Sequence, residues 1–209
     1  CIRDRLVNVL YNIVDRIYIG HIPVYGAAAL LGLDRGEVLR VLSMLHAVSG
    51  RFEKIRAANG TTAIVDYAHT PDALENVIQT IEEIRTPGQQ LIVVCGCGGD
   101  RDKGKRPIMG RIGGELADLC ILTSDNPRTE DPMEILREIE EGIKETTGEY
   151  VVIENRRDAI RHALEIGREG DIIVLCGKGH ETYQETMGVK RPFDEKVVVQ
   201  ELLTELRGE

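Results

Sequence analysis

Tryptophan is absent from the 209 residues, and only 4% are Phe or Tyr. The core must therefore be aliphatic, and flat surfaces for stacking nucleobases are scarce. Positive charge is also in deficit. Twenty-six Lys and Arg stand against 35 Asp and Glu, a formal net charge of −9. Such a chain is a poor counterion for a phosphate backbone, which argues against general nucleic-acid binding. No apolar run approaches the ~20 residues that a membrane helix needs. Cys1-Ile2-Arg3-Asp4-Arg5 leads into no apolar stretch of the kind a secretory signal contains. Metal-type cysteine pairs are missing as well. Cys95-x-Cys97 has the wrong spacing for a zinc pair and no second pair joins it. Cys95, Cys120 and Cys176 lie in or beside Val/Ile/Leu runs and read as small core residues of a reduced, cytoplasmic protein. Cys1 begins the chain, and no metal site is expected.

What is present has ordinary globular proportions, 42% hydrophobic and 29% charged, which excludes disorder, collagen-like repeats and coiled coil. The pattern changes near residue 58. Residues 1–58 read as mostly helical, best from Ala27 to His46, where Ala29, Leu30, Leu33, Val38, Leu42 and Leu45 recur at helical spacing. Gly32 to Glu37 looks like a turn inside that stretch, with Asp34 as a cap. Asp15 to Val24 is ambiguous, because its β-branched residues and Pro23 do not suit a helix.

From residue 59 onward strands and helices alternate. Thr62–Tyr67, Leu91–Cys95, Leu119–Thr123, Tyr150–Ile153 and Asp171–Cys176 read as strands. Pro71–Arg85, Arg106–Ala117, Asp131–Thr146, Arg157–Arg168 and Asp194–Leu206 read as helices, with Asp131 an N-cap before Pro132. Thr182 to Pro192 is polar and suits a hairpin or a loop. Apolar strands separated by amphipathic helices imply an α/β fold, a doubly wound, mainly parallel sheet with helices on both faces, preceded by the short helical segment.

Ligands of such sheets bind beyond the carboxyl ends of the strands. Four segments there are rich in glycine and charge: Asp66 to Pro71, Cys95 to Arg106, Thr123 to Arg128, and Cys176 to Glu181. Gly99 to Lys105 fits the start of a phosphate-binding loop, but Arg106 stands where that loop needs Ser or Thr for magnesium. Gly96-Cys97-Gly98 starts a dinucleotide fingerprint whose third glycine is replaced by Arg101. Neither motif is intact. Arg101 and Arg128 offer forks for carboxylate or phosphate, while Asp125 and Glu181 offer acceptors for ammonium. A site carrying both signs suits a zwitterion such as an amino acid. Read without a ligand, the same charges are surface ion pairs worth ~0–1 kcal/mol each.

Five motifs in one order carry a resemblance. They are Gly50-Arg51-Phe52-Glu53, Asp66 to Asp72, Gly98 to Pro107, Asp125-Asn126-Pro127-Arg128, and Gly177-Lys178-Gly179-His180-Glu181. Together they resemble the Mur ligases of peptidoglycan synthesis, over about residues 40–209, and within that family the diaminopimelate-adding members. The resemblance implies an ATP-dependent amide-forming ligase that adds meso-diaminopimelate to UDP-N-acetylmuramoyl-L-alanyl-D-glutamate through an acyl phosphate. It implies that Asp125, Asn126 and Arg128 hold the distal end of diaminopimelate. Arg101 would bind a carboxylate, and Gly177 and Glu181 the distal amino-acid group. It implies nucleotide contacts for Arg51, Asp66 and His69, and an adenine contact for Asn12, although the family's two asparagines lie three apart and Asn8 and Asn12 lie four apart. Lys103 and Lys105 would face phosphate or solvent.

The family's phosphate-binding loop, modified catalytic lysine and magnesium ligands belong to a central domain whose motifs do not occur here. By this resemblance residues 1–58 are the helical tail of that central domain, with apolar surface exposed on its helices. Residues 59–209 are the C-terminal amino-acid-binding domain. ATP and magnesium are the implied cofactors, with the metal ligands mostly outside this chain, and no catalytic residue is assigned to it. The missing central and N-terminal domains are implied partners, and the isolated chain should be inactive. Two other readings stay open from the residues. One is a non-catalytic amino-acid or nucleotide binding module. The other is a folylpolyglutamate synthase-like ligase, against which the Asp125-Asn126-Pro127-Arg128 tip argues.

Overall fold

The computed structural model describes residues 22–43, 49–57 and 59–207. The chain forms two compact units, Cys1–Val48 and Ser49–Glu209. In the first, helix α1 (Ile22–Leu30) and helix α2 (Arg35–Ser43) flank a tight turn. Gly32 adopts φ +75°, and Asp34 caps α2 by accepting the Glu37 N–H at 2.8 Å. Pro23 is tolerated because it is the second residue of α1, where its missing N–H has no partner to lose. Leu30, Leu31 and Leu33 are exposed around the turn. Asn8, Asn12 and residues 15–21 lie outside the described residues.

The second unit begins ten residues earlier than composition suggested, because a short strand there joins the sheet. Strand β1 (Glu53–Arg56) pairs antiparallel with β2 (Thr62–Asp66). It alternates half-buried and exposed residues and contains Lys54 and Arg56, so it carries no apolar run to betray it. Then follow α3 (Pro71–Ile84), β3 (Leu91–Cys95), α4 (Lys105–Leu116), β4 (Leu119–Leu122), α5 (Pro132–Ile143), β5 (Tyr150–Val152), α6 (Arg156–Ile166) and β6 (Ile172–Cys176). A hairpin of β7 (Tyr183–Thr186) and β8 (Val189–Pro192) precedes α7 (Glu195–Arg207). The hairpin closes through Met187 and Gly188, at φ 50° and 73°, the two consecutive positive φ values that a two-residue turn needs.

The sheet order is β1-β2-β6-β3-β4-β5, parallel from β2 to β5. The central strands β3 and β6 are buried along their whole length, as their unbroken Leu/Ile/Val/Cys sequences require. One face packs on α3, α4 and α5 through Leu74, Ile78, Met109, Ile135 and Ile139. The other packs on α6 and α7 through Ala159, Ile160, Val199 and Leu202. Helix starts follow their caps. Thr70 precedes α3, Asp131 accepts the Met133 N–H at 2.7 Å before α5, and Asn155 accepts from Arg157 before α6. The thiols of Cys95, Cys97, Cys120 and Cys176 are all buried, and burial pushes that of Cys97 up to about 12, far from a reactive thiolate. No described helix is long and apolar enough to cross a membrane.

Candidate functional site

Parallel pairing brings the carboxyl ends of β2, β6, β3 and β4 to one edge, with Asp66 opposite Cys176 and Cys95 opposite Leu122. The glycine-rich segments named above therefore emerge together. They form two groups of side chains.

The first group surrounds β4 and β6. Asp125 and Asn126 follow β4 and are buried. Lys178 follows β6 and is entirely buried. Its ammonium lies 3.2 Å from Asn126 Oδ1, 3.3 Å from Glu181 Oε2 and 3.5 Å from Asp125 Oδ1. Asn126 donates from Nδ2 to Glu181 Oε2 at 2.7 Å and accepts the Glu185 N–H at 2.9 Å. Gln184 donates to the Asp125 carbonyl at 2.7 Å, so the β7–β8 hairpin grips the tip from its far side. Gly177 has φ +117°, and a Cβ there would lie 3.2 Å from Asp125 Oδ2. A side chain would strain the loop and crowd the carboxylate.

Arg128 follows at φ 51° and donates to the Gly99 carbonyl at 2.7 Å, which ties the loop after β4 to the loop after β3. Its backbone N–H donates to Glu185 O at 3.0 Å. Arg101 lies nearby. A Cβ on Gly98 would meet Arg128 Nη1 at 2.8 Å and Arg101 Cγ at 3.7 Å. Arg101 is exposed, and its guanidinium has no hydrogen-bond or ion-pair partner among the described residues. The loop holding it is clamped by Arg106, which donates to Gly98 O at 3.1 Å and to Glu130 at 2.9 Å. Arg106 and Lys103 hold the Glu130 carboxyl down at about 2. Lys103, whose side chain is largely exposed, lies 3.0 Å from Glu130.

The second group surrounds β2. The Asp66 carboxylate accepts the N–H groups of Phe52 and Ala68, both at 2.8 Å. Burial raises its pKa, and those two N–H groups and Arg51 oppose the shift. Arg51 Cζ lies 5.7 Å from the Tyr67 ring centroid, and that ring also faces His69 at 4.5 Å and His180 at 5.0 Å. His69 Nδ1 is 2.8 Å from Tyr67 O, and Lys105 donates to His69 O at 2.6 Å. Arg51 is brought to this place by a close backbone contact. Gly50, at φ +72°, would carry its Cβ 2.1 Å from the Gly179 carbonyl carbon, so only glycine fits.

Behind both groups lies a buried ion pair. Arg156 meets Glu195 at 2.8 Å and donates to the carbonyls of Cys176 at 2.7 Å and Ser124 at 3.3 Å. It pins the ends of β6 and β4 to the starts of α6 and α7. Of the residues singled out in the sequence, Asp125, Asn126, Arg128, Gly177, Glu181 and Arg101 fall in or beside the first group. Arg51, Asp66 and His69 fall in the second. Asn12 lies outside the described residues. Sequence reasoning missed Lys178, Tyr67, His180, Gln184 and the Arg156–Glu195 pair. Lys178 sat inside a motif already singled out, so its position at a strand end was the available signal.

A family model described as Mur ligase, glutamate ligase domain matches residues 50–179, more than half of the chain. The chain belongs to the Mur ligase family. The UDP-N-acetylmuramoyl-L-alanyl-D-glutamate–2,6-diaminopimelate ligase of Cytophaga hutchinsonii is 49% identical over 186 residues, covering 88% of this chain and 38% of the relative. The ligase of the same name from Parabacteroides distasonis is 49% identical over 206 residues, covering 96% of this chain and 42% of the relative. A solved structure of a ligase of that name matches with a TM-score of 0.71 and 41% identity, over 89% of this chain and 38% of that one. This Mur ligase chain thus spans about two fifths of the length of these relatives.

Proposed function

We propose that this Mur ligase chain is the C-terminal part of an ATP-dependent ligase that joins meso-diaminopimelate to UDP-N-acetylmuramoyl-L-alanyl-D-glutamate. The observation that carries the reading is the tip Asp125-Asn126-Pro127-Arg128, locked to Lys178 and Glu181 at 2.7–3.5 Å beyond the carboxyl ends of the sheet. Ligases bearing that substrate pair in their names, at 49% identity, support it. The chemistry of the tip matches one end of diaminopimelate. Arg128 has N–H groups left for a carboxylate after its bond to Gly99 O. Glu181 Oε1 accepts no hydrogen bond from the described residues and is left for the ammonium, and Arg101 would bind a further carboxylate.

ATP, when bound, supplies the activation of the D-glutamyl carboxylate as an acyl phosphate. The role of this part is to hold the amino acid so that its amine nitrogen attacks the acyl carbon, phosphate leaves, and the nitrogen loses a proton. Residues of the second group fit one edge of a nucleotide, not a whole site. Arg51 is exposed beside an aromatic face, and the Asp66 carboxylate is already engaged by two backbone N–H groups. On this reading the magnesium ligands lie mostly outside this part. A UDP-linked substrate and ATP place the reaction in the cytoplasm.

Calorimetric titration tests the reading. Meso-diaminopimelate should bind, L-lysine should bind at least ~10-fold more weakly, and Arg128→Ala should remove ~1.5–3 kcal/mol of binding, the value of hydrogen bonds to a charged group. Equal binding of both amino acids, or none of meso-diaminopimelate, overturns it.

A further inference from the structure

Lysine is rarely buried without a partner, because an unpaired ammonium in a low-dielectric interior is expensive. Lys178 is buried completely and has three acceptors within 3.5 Å, Asp125 Oδ1, Asn126 Oδ1 and Glu181 Oε2. The ring centroid of Tyr183 lies 5.9 Å from the same ammonium. Arg156 and Glu195, the next buried charges, offset each other at 2.8 Å. The acceptor cluster therefore holds two carboxylates and one internal cation, leaving one net negative charge. These acceptors are the groups that would receive an amino group, and Lys178 occupies their inner side. Glu181 Oε1 accepts no hydrogen bond from the described residues.

We propose that Lys178 is a positioning residue that sets the charge of the amino-acid pocket, an internal cation that engages Asp125, Asn126 and Glu181 so that the pocket presents one net negative charge to one incoming ammonium. The inference rests on the amino-acid-binding reading above. In it, Lys178 does not touch the ligand. It aims Asn126 and Glu181 and cancels the second carboxylate. Without it, Asp125 and Glu181 would stand as two like charges with no internal cation between them.

Charge setting and simple packing predict opposite signs in one double-mutant cycle. The parent chain, Asp125→Asn, Lys178→Met and the double variant are titrated calorimetrically with meso-diaminopimelate, with thermal unfolding followed in parallel. Asp125→Asn makes the pocket neutral and should weaken binding ~10-fold or more. Adding Lys178→Met to that background restores one net negative charge and should strengthen binding by roughly 5-fold. Lys178→Met alone should be the least stable variant, since it leaves a buried carboxylate uncompensated, and the double variant should regain stability. A double variant that binds no better than Asp125→Asn, or that fails to fold, overturns the proposal. Failure of the parent chain to bind is a different result, which overturns the functional reading and this proposal with it.

Discussion

The two groups at the carboxyl edge of the sheet are built in different ways. Around β4 and β6 most polar side chains are buried and hydrogen-bonded, with Ser124 Oγ and Glu195 Oε2 the buried exceptions among the described residues. Asn126 accepts twice and donates once, Lys178 has three acceptors, and Arg156 and Glu195 close the rear. Around β2 Arg51, His69 and His180 are exposed and surround one half-buried tyrosine ring, the two imidazoles tilted against it. Buried, satisfied networks hold one geometry, because every alternative strands a polar group away from water. Exposed ring contacts are worth ~0.5–1 kcal/mol each and hold geometry weakly. The first group is thus pre-organised within this chain. The second supplies half of a surface whose other half belongs, on the proposed function, to another domain.

Substitutions that strike each side unequally sharpen this contrast. Arg156→Ala should have the largest effect. It leaves Glu195 buried and unpaired and frees two carbonyls, so chemical denaturation should show a loss of about 3–5 kcal/mol. Gly179→Ala strikes the seam between the groups. Its φ is +53°, and a Cβ would lie 2.6 Å from both Gly50 O and Tyr67 Cβ, so a loss of more than about 1 kcal/mol is expected in the same assay.

Glu130 gives a pH signature on the buried side. Its carboxyl is held at about 2, below the ordinary 4.5, so its stabilising contribution is present above pH 4.5 and lost as pH falls toward 2. Urea denaturation at several pH values should show Glu130→Gln less stable than the parent at pH 6, with the gap closing by pH 2. A gap that stayed constant would mean that the Arg106 clamp is not electrostatic. Arg51→Ala should have the smallest effect on folding, within about 1 kcal/mol, because it removes one exposed cation–π contact. A loss as large as that of Arg156→Ala would erase the difference between the two sides.

Much of this was legible in the sequence. The buried strands β3, β4 and β6 show as unbroken aliphatic runs, and Thr70, Asp131 and Asn155 stand where helices begin. The site segments were visible because loops after parallel strands must share an edge, whatever the strand order. Strand β1 was not visible, since its pairing with β2, not any apolar run, makes it a strand. Nor was the hairpin certain, because Met187-Gly188 is not the asparagine–glycine signature of such turns. Lys103 and Lys105 looked alike, yet one is bound to Glu130 and the other to the backbone of His69.

By itself the sequence determined the parallel α/β class, the position of the glycine-rich tips and the family, because periodicity, capping and motif order are properties of neighbours along the chain. Only the tertiary structure decided which charges are buried. Lys178 meets Asp125 across 53 positions and Arg156 meets Glu195 across 39. Whether a charge is solvated or internal depends on what the fold stacks above it, and no local pattern of residues carries that information.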